Sequence, residues 1–138
     1  MAKMTEQVKS IFNSQRIVVF STASKDGIPN AVPIGAKKII DDETILISNQ
    51  YFDKTLKNIM ENPRAGLTFW DIKTHEGYQV KGTITIETSG ERFEKTAKWI
   101  EEMGKAKKKP LKSKGSVILK ITDVYCVTAG KDAGKKIA

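Results

Sequence analysis

The segment Ser48-Asn49-Gln50-Tyr51-Phe52-Asp53-Lys54-Thr55 brings together groups that suit a phosphorylated ligand. Three polar side chains close a short β-branched run, and a helix opens behind them with Lys54 and Thr55 in its first turn. The leading N–H groups of a helix have no partner within it and carry partial positive charge, which favours an anion. Lys54 adds a full cation at that place and Thr55 a hydroxyl donor. Ser48, Asn49 and Gln50 can hydrogen-bond a polyol running back along the strand. The same residues also have a plainer reading, with Thr55 as an ordinary helix-start residue and Lys54 as a solvated lysine. Asn58, one turn after Lys54, stands equally open between a support for the phosphate loop and a surface asparagine.

Other chemistry is sparse. His75 is the one histidine, in the turn-like stretch Ile72-Lys73-Thr74-His75-Glu76. No cysteine or second histidine is placed beside it to share a metal, and nothing points a nucleophile at it. Cys126 is the one cysteine and lies in an apolar run, where a free thiol packs as a small hydrophobe. A single cysteine forms no intrachain disulfide and fits a reducing cytoplasm. Dinucleotide and P-loop glycine patterns and the HExxH helix are missing. Asp41-Asp42 is ordinary turn chemistry. An enzyme made of these residues would take its chemistry from a cofactor, although a binding module would lack the same motifs.

The elements that must position Lys54 and its neighbours follow from periodicity. Thr5 caps a helix whose Val8, Ile11 and Phe12 share one face. Ile17 to Ala23 is a strand, and Ser24-Lys25-Asp26-Gly27 a turn closed by Asp-Gly. A second strand runs from Ile28 to Ile40, with Pro29 and Pro33 confining parts of it to an edge. Thr44 to Ser48 is the third. Asp53 caps a short helix with Leu56, Ile59 and Met60 as its buried stripe, which Asn62-Pro63 stops. Ala65 to Asp71 is the fourth strand. The fifth, Gly77 to Thr88, alternates cleanly, with Tyr78, Val80, Gly82, Ile84 and Ile86 on one face and Gln79, Lys81, Thr83, Thr85 and Glu87 on the other. A helix from Gly90 presents Phe93, Ala97 and Ile100 and ends at Gly104. Ser116 to Thr128 is the sixth strand. Six mostly antiparallel strands with short helices predict a mainly β, closed or split barrel, with residues 1–128 as the domain and 129–138 as a basic tail.

The net charge of +8 over 138 residues suggests nucleic acid until it is located. Residues 1–104 hold 14 Lys and Arg against 14 Asp and Glu, and the segment KAKKKPLKSK at 105–114 holds six lysines and no acid. The excess therefore sits in one loop and the tail, and a neutral body argues against a broad DNA-binding face. No apolar run approaches the ~20 residues that span a bilayer, and the N-terminus lacks a secretory signal pattern. The lysine loop reads either as a solvated connection or as a cationic patch with a partner.

Three stretches together, VVFSTASKDGIPNAVPIG at 18–35, DKTLKNIMENPRAGLTF at 53–69 and GYQVKGTITI at 77–86, resemble the pyridoxamine 5'-phosphate oxidase-related, FMN-binding split-barrel families. The resemblance covers most of residues 8–128. It implies a six-stranded antiparallel split barrel that binds FMN at the interface of a homodimer. Lys54 and Thr55 would then hold the phosphate, and Ser48, Asn49 and Gln50 would line the ribityl chain. Pro33, Ile34 and Gly35 would offer backbone groups to the ring edge, and Gly35, lacking Cβ, would let a flat ring approach. Asn58 and Gln79 would add polar contacts. The polar face of the fifth strand would meet the partner, and the segment Lys107 to Lys114, Lys112 included, would reach the partner's site. There its cations would attract an acidic substrate or electron-transfer partner. Authentic oxidases are longer and carry basic and histidine residues near the C-terminus, whereas this chain ends in AGKDAGKKIA, so the vitamin B6 reaction is not expected. Trp70 and Trp99 read as core or interface aromatics. The expected function is an FMN-dependent oxidoreductase or electron carrier. The alternatives are a deazaflavin enzyme of the same fold and a flavin store or sensor.

Overall fold

The alternating runs become seven strands in the computed structural model, which describes residues 2–138. They are β1 (Val18–Ala23), β2 (Pro29–Ile34), β3 (Lys37–Asp41), β4 (Thr44–Asn49), β5 (Arg64–Trp70), β6 (Gly77–Glu87) and β7 (Gly115–Cys126). Three helices, α1 (Glu6–Ser14), α2 (Lys54–Glu61) and α3 (Glu91–Ala106), precede β1, β5 and β7. The strands pair antiparallel in the order β2-β1-β5-β6-β7-β4-β3.

β2 and β3 are therefore the two edges of the sheet, yet only Gly35 and Ala36 separate them along the chain. A two-residue link spans at most ~11 Å, so the edges must meet and the sheet must curl into a barrel split at that seam. The single strand expected from Ile28 to Ile40 is corrected to two, which is why there are seven strands and not six. Local alternation cannot register this break, because each half pairs with a different remote strand. The Ser48 N–H donates to the Ala36 carbonyl at 3.0 Å, which prolongs the β3–β4 ladder into this link.

The barrel core gathers Phe20, Ile45, Ile47, Leu67, Phe69, Val80, Leu119 and Ile121. α1 adds Val8, Ile11 and Phe12, and its first turn is held by Thr5, whose Oγ1 accepts from the Val8 N–H at 3.2 Å. Phe12 meets Phe69 edge to face, with ring centroids 5.2 Å apart. β6 keeps its expected alternation, burying Val80, Gly82 and Ile84 and exposing Lys81, Thr83 and Thr85. Its register against β7 shifts between Lys81 and Gly82. A Cβ at Gly82 would lie 2.0 Å from the Lys120 carbonyl oxygen, so the strands can approach this closely only at glycine.

Both later helices differ from their expected faces. α2 turns Thr55, Asn58 and Ile59 inward and leaves Met60 70% exposed. α3 buries Thr96 and Ile100, with Phe93 and Ala97 only half-buried, and it continues past Gly104 to Ala106. Gly104 is a packing glycine rather than a stop, since a Cβ there would stand 2.5 Å from the Lys109 carbonyl oxygen.

Residues 129–138 fold back along β7. β4 covers β7 only from Gly115 to Lys120, and beyond it the Val124 N–H donates to Ala138 at 2.8 Å and the Cys126 N–H to Lys135 at 2.9 Å. The segment thereby shields an edge that would otherwise be open to pairing. Lys136 bonds Asp123 at 2.9 Å and holds that carboxyl below its usual range. No helix among the described residues is long and apolar enough to cross a membrane.

Candidate ligand cleft at the head of helix α2

β4 is buried along its whole length because β3 and β7 flank it and both its faces are covered. Its last residues set the path of the chain into α2. The Asn49 side chain accepts from the Phe52 N–H at 2.9 Å and turns the chain toward that helix. The Phe52 ring then stacks on Phe20 with centroids 5.9 Å apart, seating the connection on the core. α2 opens without a side-chain cap: Asp53 stands at the cap position and its carbonyl accepts from the Lys57 N–H at 3.1 Å, but its carboxylate bonds no helix N–H, and the first turn carries no acid. Its leading N–H groups are therefore left without a side-chain acceptor.

Beside that helix start lies a cleft of about 630 Å³, a size typical of small-molecule sites. One wall is the seam between β2 and β3, with Val32, Pro33, Ile34 and Gly35. Ser48, Gln50 and the residues leading into Thr55 also line the cleft, as do Met103, Lys107, Lys109 and Leu111. Arg16 and Ile17 complete the rim. Four cationic residues, Arg16, Lys54, Lys107 and Lys109, line the cleft against a single acid, Asp53. Such a lining concentrates anionic ligands.

The lysine segment is tied in place. Ser48 Oγ donates to Ser113 Oγ at 2.7 Å, Ser113 Oγ donates to the Gly115 carbonyl at 3.2 Å, and the Lys114 N–H donates to the Asn49 carbonyl at 2.7 Å. Lys107 and Lys109 line the cleft of their own chain. Gln50 contributes an unpaired group, since its Oε1 is buried without a hydrogen-bond donor. An unmet buried acceptor costs ~1–3 kcal/mol, so a ligand hydroxyl gains by reaching it. A Cβ at Gly35 would stand 3.3 Å from Ile17 Cδ1, the movable end of a side chain that is 52% exposed. These features fit a ligand with a phosphate, a hydroxylated chain and a flat ring.

Thr55 is 2% exposed and belongs to a polar cluster beneath the helix start. Asn30 Nδ2 donates to Thr55 Oγ1 at 3.0 Å and to Thr22 Oγ1 at 3.2 Å, and Asn58 Nδ2 donates to Thr22 Oγ1 at 3.1 Å.

Of the residues expected from sequence, the cleft gathers Ser48, Gln50, Lys54, Thr55, Pro33, Ile34 and Gly35. Asn49 acts behind it as the turn-maker, and Asn58 lies under it. Gln79 is away from it on β6, bonded to Thr68 Oγ1 at 3.1 Å, and Lys112 is exposed outside it. Arg16, Ile17, Tyr51, Thr22 and Asn30 were not anticipated. Thr22 and Asn30 could have been found, because they are directly paired across the hairpin closed by Asp26-Gly27. His75 stands in an exposed turn with φ 66°, Cys126 is buried, Trp70 is 47% exposed, and Trp99 lies under the Lys38 ammonium.

The family model for pyridoxamine 5'-phosphate oxidase matches residues 4–128. The chain belongs to this family. It is 46% identical over 139 residues to an uncharacterized protein of Methanocaldococcus jannaschii, covering 99% of this chain and 89% of that one. Among solved structures, HupZ of Group A Streptococcus superposes with a TM-score of 0.79 at 26% identity, covering 95% of this chain and 99% of that chain. An FMN-binding protein of Syntrophomonas wolfei superposes with a TM-score of 0.76 at 22% identity, covering 91% and 87% respectively.

Proposed function

We propose that the cleft binds FMN and that the chain works as a flavin-dependent oxidoreductase or electron carrier. The observation that carries this reading is the start of α2, whose leading N–H groups have no side-chain acceptor, beside Lys54 and continuous with a cleft whose cations outnumber its one acid, Asp53. The phosphate would take the α2 N–H groups, Lys54 Nζ and the Thr55 hydroxyl. Ribityl hydroxyls would run along Ser48 and Gln50, meeting the unpaired Gln50 Oε1. The ring would lie against Pro33, Ile34 and Gly35. Family membership and the shared fold of an FMN-binding protein support FMN as the occupant. Bound flavin supplies hydride or electron transfer, and the protein supplies orientation and charge. Lys107, Lys109 and Arg16 would favour an acidic substrate or an acidic electron-transfer partner. We place the working form as a cytoplasmic homodimer with the cofactor at the interface. The rim fits that role, because Ile17 and Tyr51 are 52% and 71% exposed there.

The test is equilibrium titration of purified protein with FMN, riboflavin and a deazaflavin, followed by absorption. FMN is expected to bind at least ~10-fold more tightly than riboflavin, the equivalent of one charge-assisted hydrogen bond. Equal affinity for the two removes the phosphate site, and a preference for the deazaflavin replaces the cofactor. Reduction by NADH or NADPH with an artificial acceptor then separates an oxidoreductase from a flavin store.

A further inference from the structure

Thr55 is buried at the head of α2, and its hydroxyl can both donate and accept. A phosphate at that place takes only donors, so Thr55 is useful to it only if something else occupies the acceptor side of the hydroxyl. The cluster beneath it does so. Asn30 stands on β2, directly across from Thr22 on β1, and its Nδ2 reaches Thr55 Oγ1 at 3.0 Å and Thr22 Oγ1 at 3.2 Å. Both amide hydrogens are thereby committed to threonine oxygens. Thr22 Oγ1 also accepts from Asn58 Nδ2 at 3.1 Å, so helix and hairpin are clasped by one set of bonds.

We propose that Asn30, which is outside the cleft lining, is a positioning residue that fixes the polarity of Thr55. By donating to Thr55 Oγ1, it leaves the hydroxyl proton to point at the phosphate of the cofactor. The inference rests on FMN occupying the cleft. It adds that discrimination between FMN and riboflavin is set in part from the β1–β2 hairpin, on the far side of Thr55 from the ligand. Asn58 steadies the same arrangement through Thr22 and touches Thr55 with no bond of its own.

The experiment is a double-mutant cycle on the FMN-to-riboflavin affinity ratio, using Asn30→Ala, Thr55→Val and both together. Thermal unfolding confirms that each variant is folded. The expected result is a ratio that falls roughly 5- to 10-fold in T55V, the loss of one modest hydrogen bond. N30A should fall by a comparable factor with riboflavin affinity held, and the double variant should be no worse than T55V alone. Asn30→Asp, which can only accept, should lower the ratio at least as far as N30A. An unchanged ratio in N30A, effects that multiply in the double variant, or an N30D protein that keeps full discrimination would each overturn the assignment. A wild-type protein with no preference for FMN overturns the cofactor reading itself, and this inference with it. A wild-type preference that N30A leaves intact overturns only the role of Asn30.

Discussion

Replacing Lys54 with alanine isolates the phosphate claim. Lys54 is exposed at the first position of α2, and the helix it begins is seated by Thr55, Asn58 and Ile59 rather than by Lys54. Folding should therefore be unaffected, with a melting temperature within about 2 °C of wild type, as for surface substitutions generally. For the ligand, a hydrogen bond to a charged group is worth ~1.5–3 kcal/mol. The low end applies, because an exposed lysine is screened by solvent, and the α2 N–H groups, Arg16, Lys107 and Lys109 remain. A loss of ~1.5 kcal/mol is about a 12-fold rise in the dissociation constant for FMN. Riboflavin, with no phosphate, should bind K54A as it binds wild type. Quenching of flavin fluorescence at equilibrium measures both, and repeating the FMN titration at high salt should shrink the wild-type advantage. Equal weakening of FMN and riboflavin would overturn the phosphate role, because it would place Lys54 against some other part of the ligand or make its effect one of folding.

Gly82→Ala should destabilise the barrel by ~3 kcal/mol or more in urea unfolding, since its Cβ would sit 2.0 Å from the Lys120 carbonyl oxygen; unchanged stability would contradict the close β6–β7 approach. Burial first, and the 2.5 Å hydrogen bond that Tyr78 donates to Glu76 second, push the Tyr78 phenol up to about 12 from 10.0. Its contribution to stability is full below pH 10 and lost as pH climbs from 10 toward 12, so the phenolate absorbance that separates wild type from Y78F should emerge near the top of that window. Lys107→Ser with Lys109→Ser should leave FMN affinity within about threefold yet flatten the dependence of flavin reduction on ionic strength with an acidic reductant. Sedimentation of the FMN-loaded protein should give twice the chain mass of 15.3 kDa, and a monomer at micromolar concentration would remove the shared site.

Much of this architecture was legible because it is local. The alternation from Gly77 onward, the Asp-Gly turn, the cap at Thr5 and the strand-to-helix passage from Ser48 to Thr55 all rest on neighbours in sequence. What escaped was non-local. Nothing around Gly35 and Ala36 tells that β2 and β3 lie at opposite sheet edges, since only barrel closure makes that so. Met60 left its expected inward place because Asn58 finds a buried partner in Thr22, and a satisfied amide can occupy an inward position that periodicity alone gives to an apolar side chain. Arg16 and the lysine segment join the cleft from remote parts of the chain, and one bond that holds the segment there runs between Ser48 and Ser113, 65 residues apart.

The decisive measurement is a crystal structure of the protein with FMN. The phosphate should stand at the head of α2, within hydrogen-bonding distance of Lys54 Nζ and Thr55 Oγ1, with the ribityl chain passing Gln50 and the ring against Pro33-Ile34-Gly35. FMN lodged elsewhere, or seated in the cleft with its phosphate turned away from α2, would contradict the proposed site.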